Sequence, residues 1–249
     1  MKLTPSTLFL RHILGAALLL LTLGLPGRAG NAPAPSDSKW TVIAECQMVT
    51  LPQKLAWPLL PDLGDDEKID AAWAKLQQMI EQGQATLVAN LSVRGDTEQK
   101  MIAEEIREVR YPTEFTPPQI PQEIRLEKNA AYKDLPITGA CPTAFETRNV
   151  GATLELEPKV SDDGQWIALG IAVQHVRFLR FHKYDIGVVH SGEHQYIEQP
   201  FFSTLSDTFA LHLHTGQRVL LGLHKIPEDE ANMELFFLRV RTQPTTKAK

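Results

Sequence analysis

Hydrophobic residues in one stretch of the N-terminal half follow a helical spacing. Between Ile69 and Ile80 they recur every three or four positions, which is the pattern of an amphipathic α-helix. Asp65 or Asp66 would cap the first turn. Gly83 follows where such a helix would end, because glycine adopts the left-handed conformation found there. The sequence therefore predicts one amphipathic helix with its apolar side on a core.

Alternation of apolar and polar residues replaces this pattern in the last third of the chain. Leu154 and Leu156 alternate with acidic residues, which places both leucines on one face of a strand. Further strands are predicted at 166–173, 209–214, 218–223 and 235–240, each with an apolar side for a common core. Turn dipeptides at 163–164 and 215–216 supply the positive backbone angle that a tight hairpin needs. The pattern predicts an antiparallel meander around a common core.

The first half of the chain contains further strand candidates. Residues 40–50 and 85–93 are predicted strands. Residues 101–111 are ambiguous, because their composition favours a helix as well as a strand. Three prolines between 52 and 61 predict a bent connection before the helix.

The N-terminus has the composition of an export signal. Lys2 and Arg11 carry positive charge, and the apolar run from Ile13 to Leu25 is shorter than the ~20 residues of a membrane-spanning helix. Small residues around Ala29 suit cleavage by a signal peptidase. A cleaved signal peptide at 1–30 is therefore expected, with a retained membrane anchor as the alternative.

Composition divides the rest of the chain. Residues 31–39 are rich in Pro, Ala and Ser, which predicts a flexible lead-in. Residues 112–142 contain six prolines, which disfavour regular structure and predict a long loop. This loop separates a helix-bearing half at 40–111 from an all-strand half at 143–241. Residues 242–249 form a tail.

The charge of the chain argues against one class of function. Its 249 residues include 30 acidic and 25 basic side chains, which gives a net charge of -5 at pH 7. No long basic run is present. Because nucleic-acid binding depends on clustered Lys and Arg, a nucleic-acid partner is not expected.

The chain has two cysteines, Cys46 and Cys141. An oxidising compartment outside the cytoplasm would permit a bridge between them. Closing a loop of about 95 residues would stabilise the fold by roughly 4–5 kcal/mol in the chain-entropy model. A disulfide between them and two unpaired thiols are both left open.

Histidines are the main candidates for chemistry. His212 and His214 share a face of one predicted strand, and His224 lies on the next. Three imidazoles together would suit zinc, whereas a solvated polar face opposite the apolar side is the alternative. The sequence contains no nucleophile elbow, phosphate-binding glycine loop or metalloprotease helix motif. No catalytic residue, cofactor or enzymatic activity is predicted.

The order and spacing of several short motifs resemble those of a known family. They are Val150-Gly151 before two alternating leucines, Pro158 after them, Gly164 in the following turn, Gly216-Gln217 before a strand that ends at Gly222, and the apolar run from Leu235 to Leu238. Together they resemble the core domain of the bacterial secretins, the ring-forming outer-membrane channels of type II and type III secretion and of type IV pili. The resemblance covers roughly residues 40–241. It implies structural roles for Gly151, Pro158, Gly164, Gly216 and Gly222.

This resemblance implies an α+β fold that is mainly antiparallel β. The chain would be a secretin-like core with one clear amphipathic helix in its N-terminal half, in a reduced form without the ring-building domains that usually precede the core. The resemblance also favours a strand for residues 101–111.

The function implied by the resemblance is structural. The chain would be an exported protein of the periplasm or outer membrane of a Gram-negative-type bacterium. It would self-associate, or dock with other envelope and secretion proteins, through the edges of its sheets. A monomeric periplasmic β-rich module that binds a metal or a peptide is the alternative. Association with the membrane stays open.

Overall fold

The computed structural model describes residues 38–117, 139–188, 194–227 and 229–245. Within these ranges the chain forms eight strands, three short α-helices and one turn of 3-10 helix. In chain order they are β1 (Trp40–Pro52), α1 (Gln53–Ala56), the 3-10 turn (Trp57–Leu59), α2 (Leu60–Leu63), α3 (Ile69–Glu81), β2 (Thr86–Asp96), β3 (Met101–Thr116), β4 (Cys141–Val160), β5 (Trp166–Val188), β6 (His194–His214), β7 (Arg218–Ile226) and β8 (Asp229–Pro244). The predicted mainly antiparallel β fold with an amphipathic helix is confirmed.

The predicted helix is α3, and its apolar stripe is buried. Gly83 follows it with a φ of 71°, as the sequence predicted. The predicted cap differs in detail. Asp65 Oδ1 accepts a hydrogen bond from the amide of Glu67 at 2.9 Å, in the turn before the helix. No side-chain bond caps the first turn of α3 itself.

Two four-stranded antiparallel sheets organise the described residues. The strand order is β2-β1-β8-β7 in the first sheet and β3-β4-β5-β6 in the second. The first strand of the fold, β1, pairs along its whole length with the last, β8. Every neighbouring pair is antiparallel.

Strand β8 is buried on both faces over residues 233–238, and this explains its sequence. Phe236 and Leu238 of β8 point into a core between the two sheets. Leu235 and Phe237 point to the opposite side, into a second core that the helices cover. There the ring of Trp73 in α3 meets the ring of Phe237 edge to face at 4.8 Å. Strands that are buried on both faces lose the polar alternation, which accounts for the apolar run in β8.

The predicted hairpin at residues 215–216 is wrong. Strands β6 and β7 lie in different sheets, so the chain turns a corner here and β7 pairs with β8. Gly216 has a φ of 85°, and its amide donates to the carbonyl of Val240 in β8 at 2.7 Å. An apolar face indicates which side of a strand is buried, but does not indicate which strand lies beside it. The predicted simple meander therefore becomes two sheets.

The proline-rich segment is more regular than its composition predicts. Strand β3 continues to Thr116, and β4 already begins at Cys141. Pro112 and Pro142 are strand residues, which is compatible with positions that donate no hydrogen bond to the ladder. Residues 101–111 are in a strand, as the resemblance implied. Residues 118–138 lie outside the described part of the chain.

The connection at 52–63 is helical where the prolines predicted only a bend. Pro58 and Pro61 stand in the first turns of the 3-10 turn and of α2, where a missing amide costs nothing. No helix of the described residues is long and apolar enough to span a membrane. The predicted signal peptide at 1–30 lies outside the described residues, as do most of the lead-in and the end of the tail.

Candidate functional site

The second sheet divides into two long hairpins. Strands β4 and β5 pair only between Gly151–Val160 and Ile167–Val176. Beyond this point, within the described residues, the first ten residues of β4 pair only with β3, and the last twelve of β5 pair only with β6. We call this point the fork. Beyond the fork, the main-chain amides and carbonyls on the facing edges of β4 and β5 are not paired with another strand of the described residues.

Gly151 stands at the fork, and its backbone explains why glycine occurs there. Its φ is 132°, and a Cβ on this residue would overlap the carbonyl oxygen of Glu105 in β3. That oxygen therefore faces β4. Because main-chain groups alternate between the two sides of a strand, the amides of Ile106 and Glu108 face the outer edge of β3.

The two hairpins are joined beyond the fork by side chains of β6. The side-chain amide of Gln195 accepts from the amide of Ala140 at 3.1 Å and donates to the carbonyl of the same residue at 3.3 Å. Gln199 Nε2 donates to the carbonyl of Pro112 in β3 at 3.1 Å. We call this set of contacts the clasp. It bonds main-chain groups through side chains and not through a strand ladder.

Exposed aromatic rings with cations beside them mark both hairpins. Arg110 lies 4.6 Å from the centre of the Phe145 ring in the β3–β4 hairpin. In the β5–β6 hairpin, Arg180 lies 5.2 Å from the ring of Phe201. Both rings are exposed. Such cation–π pairs stabilise exposed strands by about 0.5–1 kcal/mol each. They therefore add to the backbone hydrogen bonds that order the ends of the hairpins.

A cleft of about 490 Å³ opens at the base of the fork. Its lining includes Glu105 and Arg107 of β3 and His175 and Arg177 of β5. Small residues beside them leave the space, among them Ala89 of β2. Within the described residues Arg107 has no acidic partner. The cleft is therefore polar and charged where the core ends.

A buried carboxylate lies behind this cleft. Glu234 of β8 is 0% exposed, and one of its oxygens lies 2.5 Å from Nδ1 of His175. The other oxygen is paired with the guanidinium of Arg177. The hydroxyl of Thr50 in β1 accepts from Arg177 at 3.3 Å. We call these four residues the glutamate network, and it ties β5 at the fork to the first sheet.

Burial, together with the charge of Arg177 beside it, lowers the pKa of His175 to about 4. The imidazole is therefore neutral at pH 7, and its Nδ1 shares a hydrogen bond with Glu234. Arg177 then supplies the positive charge that balances the carboxylate. A buried carboxylate is tolerated only with such partners, so the three side chains act as one unit.

Three other positions named by the resemblance are in close contact with neighbouring parts of the fold. Pro158 is buried in β4, and its carbonyl accepts from the amide of Glu98 at 2.7 Å. Gly164 lies in the β4–β5 turn, where a side chain would overlap the ring of Trp40. Gly222 leaves space for the carboxylate of Asp207, which bonds His224 at 2.8 Å and so connects the two sheets.

The three candidate metal ligands are not assembled as a site. His224 is paired with Asp207, while His212 is exposed. His214 meets the ring of Trp166 edge to face at 5.3 Å. Across the described ranges, no three His, Cys, Asp or Glu side chains are grouped in a way that could hold a metal ion.

The candidate disulfide is not formed in this structure. Cys46 and Cys141 are both free thiols. Cys46 is fully buried in the core between the sheets, and burial raises its pKa to about 12. Cys141 is exposed at the start of β4, in the other sheet.

The glutamate network is absent from the sequence-based candidates, although part of its signal was present. The apolar face of β5 contains Ile171 and Val173 and continues with His175 and Arg177 at the same spacing. Polar residues that extend a buried face indicate a buried polar cluster. Their partner, Glu234, is 59 positions from His175, and no local pattern identifies it.

No protein-family model matches the sequence, and no curated protein sequence matches it. Solved structures of secretins are similar to the fold. The type II secretion system secretin GspD of E. coli K12 is 12% identical, with a TM-score of 0.34, and the match covers 82% of this chain and 49% of that one. The type III secretion injectisome secretin InvG of Salmonella SPI-1 is 10% identical, with a TM-score of 0.37, over 84% of this chain and 65% of that one.

Aeromonas hydrophila ExeD is 14% identical, with a TM-score of 0.33, over 83% of this chain and 47% of that one. The chain thus spans about half to two thirds of the length of these proteins.

Proposed function

We propose that this chain is a non-enzymatic, secretin-like envelope protein that self-associates by pairing the outer edges of its second sheet. Strand β3 forms one outer edge of this sheet, and β6 forms the other. Pairing of β3 in one copy with β6 of the next would extend the sheet from copy to copy. A head-to-tail contact of this kind produces a closed ring or an open filament.

The length of the hairpins beyond the fork is the observation that carries this proposal. Strands β5 and β6 have 23 and 21 residues, whereas strands in globular proteins usually have 3–10. Each hairpin beyond the fork is two-stranded and largely exposed. An isolated two-stranded hairpin is marginally stable in water at best. A neighbouring copy paired along the outer edge of β3 or β6 would add a third strand to the part of each hairpin next to the fork.

Proline positions limit where pairing occurs. Pro112 in β3 and Pro200 in β6 lack the amide that an added strand would bond. The proline-free stretches nearer the fork, 101–111 in β3 and 201–214 in β6, are therefore the proposed contact. Export through the predicted signal peptide would place the assembly in the periplasm or at the outer membrane.

The test removes one outward amide without changing the ladder inside the chain. The amide of Glu108 faces the outer edge of β3, so Glu108→Pro deletes a donor for the next copy. Glu108→Ala is the matched control. Light scattering during size-exclusion chromatography should show assembly for the wild-type protein and for Glu108→Ala, with weaker assembly for Glu108→Pro at unchanged secondary structure. A monomer at all concentrations would contradict the proposal.

The polar cleft favours a second candidate function, a monomeric periplasmic module that binds a peptide. Its charged lining and the open main-chain groups of β4 and β5 suit an extended peptide. A monomer whose Arg107→Ala variant loses binding to an acidic peptide library, while Arg110→Ala retains it, would support this function over assembly.

A further inference from the structure

We propose that the contact between copies also pairs the edges of the first sheet, β2 of one copy with β7 of the next. This inference rests on the proposed function, because the partner is the same second copy that pairs β3 with β6. It adds a ladder in the other sheet to that contact. Assembly would then extend both sheets at once.

The topology places the outer edges of the two sheets side by side. Strands β2 and β7 are the outer strands of the first sheet. Only residues 97–100 separate β2 from β3, and only residues 215–217 separate β6 from β7. The amide of Asn90 in β2 donates to Oε2 of Glu105 in β3 at 3.5 Å, and Asp207 of β6 bonds His224 of β7 at 2.8 Å. The edges of β2 and β3 therefore lie on one side of the paired sheets, and those of β6 and β7 on the other.

The number of strands allows one displacement to serve both sheets. Each sheet has four antiparallel strands, so a copy displaced by four strand spacings, about 19 Å, continues both ladders. Because four is an even number, β7 of one copy and β2 of the next run in opposite directions, as β6 and β3 do. The displacement that joins β3 to β6 thus brings β2 beside β7 in an antiparallel arrangement.

The two edges of each sheet are also level with each other. Following the register across the first sheet, residues 86–92 of β2 are level with residues 218–224 of β7. Across the second sheet, residues 101–106 of β3 are level with residues 204–209 of β6. These last two ranges lie inside the contact already proposed between copies. A displacement without any shift along the strands therefore pairs both sheets.

The edges of the first sheet lack the features that usually keep an edge strand unpaired. Residues 86–93 and 219–223 contain no proline and no charged side chain, whereas exposed edges are commonly blunted by one or the other. The apolar side chains at 219–223 pack against the two cores but stay only partly buried. Their neighbours in β8, residues 235–238, are 0% exposed. On β2, Leu87 is 40% exposed. A strand added here would cover apolar side chains of both edges.

The amides of β2 report this pairing directly. The Asn90 amide bonds Glu105 and so faces away from β1, and by alternation the Ser92 amide faces the same way. Hydrogen exchange at Asn90 and Ser92 in the wild-type chain should be about tenfold slower in the assembly than in dilute monomer. The amides of Leu91 and Val93 face β1 and serve as the internal reference, with slow exchange in both states.

A proline at position 92 tests the same edge by substitution. Ser92→Pro deletes an outward donor and keeps the bonds between β1 and β2, and an edge strand accommodates proline at such a position. Ser92→Ala is the matched control. Sedimentation velocity should give a half-assembly concentration about fivefold higher for Ser92→Pro than for Ser92→Ala. If Ser92→Pro does not fold, the exchange measurement on the wild-type chain decides the question.

The outcomes separate the two proposals. An assembly that Glu108→Pro weakens, but in which Asn90 and Ser92 exchange as fast as in the monomer, overturns the inference and leaves the proposed function in place. Equal assembly of folded Ser92→Pro and Ser92→Ala does the same. Protection of Ser92 together with undiminished assembly of Glu108→Pro overturns the β3–β6 contact and supports the β2–β7 contact. A monomer at all concentrations overturns both.

Discussion

Replacing Glu234 by Gln removes the charge of the buried glutamate network while keeping the shape of the side chain. Glu234 is fully buried, and its partner Arg177 has only 19% of its side chain exposed. The substitution leaves the Arg177 guanidinium without a negative partner, because the introduced carboxamide oxygen and the Thr50 hydroxyl are both neutral acceptors. Breaking a buried pair by removing one partner costs about 3–5 kcal/mol. The partial exposure of Arg177 places the expected loss near the lower end, at about 3 kcal/mol.

Urea denaturation at pH 7, followed by tryptophan fluorescence, measures this loss. A decrease of about 3 kcal/mol in the free energy of unfolding corresponds to a fall of roughly 6–12 °C in the melting temperature for a domain of this size. Glu157→Gln makes the same chemical change at an exposed position of β4, and its effect should stay within about 0.5 kcal/mol.

A double variant distinguishes the loss of charge balance from a loss of packing. If an unpaired Arg177 is the cause, Glu234→Gln/Arg177→Met should recover at least about 1 kcal/mol relative to the sum of the single variants. Additive losses, or a Glu234→Gln variant that is destabilised by less than about 1 kcal/mol, would refute the idea that this carboxylate is charged and balanced by Arg177.

Three further predictions follow from individual groups. Because the pKa of His175 falls from 6.5 to about 4 on folding, at pH values between these two the unfolded chain binds a proton at this residue and the folded chain does not. The free energy of unfolding therefore contains about 3 kcal/mol from the neutral state of His175, which is fully present above pH 6.5 and is lost as the pH falls towards 4. The variant His175→Gln should have a flatter curve of stability against pH in that window. A parallel pair of curves would contradict this. Gly216→Val should lower the free energy of unfolding by about 1–3 kcal/mol through backbone strain alone, since its φ is 85° and a Cβ would meet nothing within 4 Å. Gly216→Asn should cost less, and equal melting of all three proteins would rule out this conformation. Alkylation without reductant should modify the exposed Cys141 in the folded protein and Cys46 only after unfolding, whereas no labelling until reductant is added would show a bridge.

Much of the local structure is contained in the sequence. The three- and four-residue spacing predicts α3, because only a helix places Ile69 and Leu76 on one face. Alternation at Leu154 and Leu156 likewise predicts a strand. The resemblance implies structural roles for the motif glycines, and Gly151 is required by the close approach of a carbonyl.

Tertiary structure decides which strands are neighbours and which polar groups meet. The apolar run of β7 predicts a strand, yet its pairing with β8 and not with β6 depends on how two sheets share one core. Glu234 has no local feature that distinguishes it from an exposed glutamate. Its burial follows from the approach of His175 and Arg177 on the other sheet, because a buried carboxylate persists only where distant partners satisfy it. The local conformational preferences of this chain are thus set by its sequence, whereas the fork, the clasp and the glutamate network arise only when the two sheets pack.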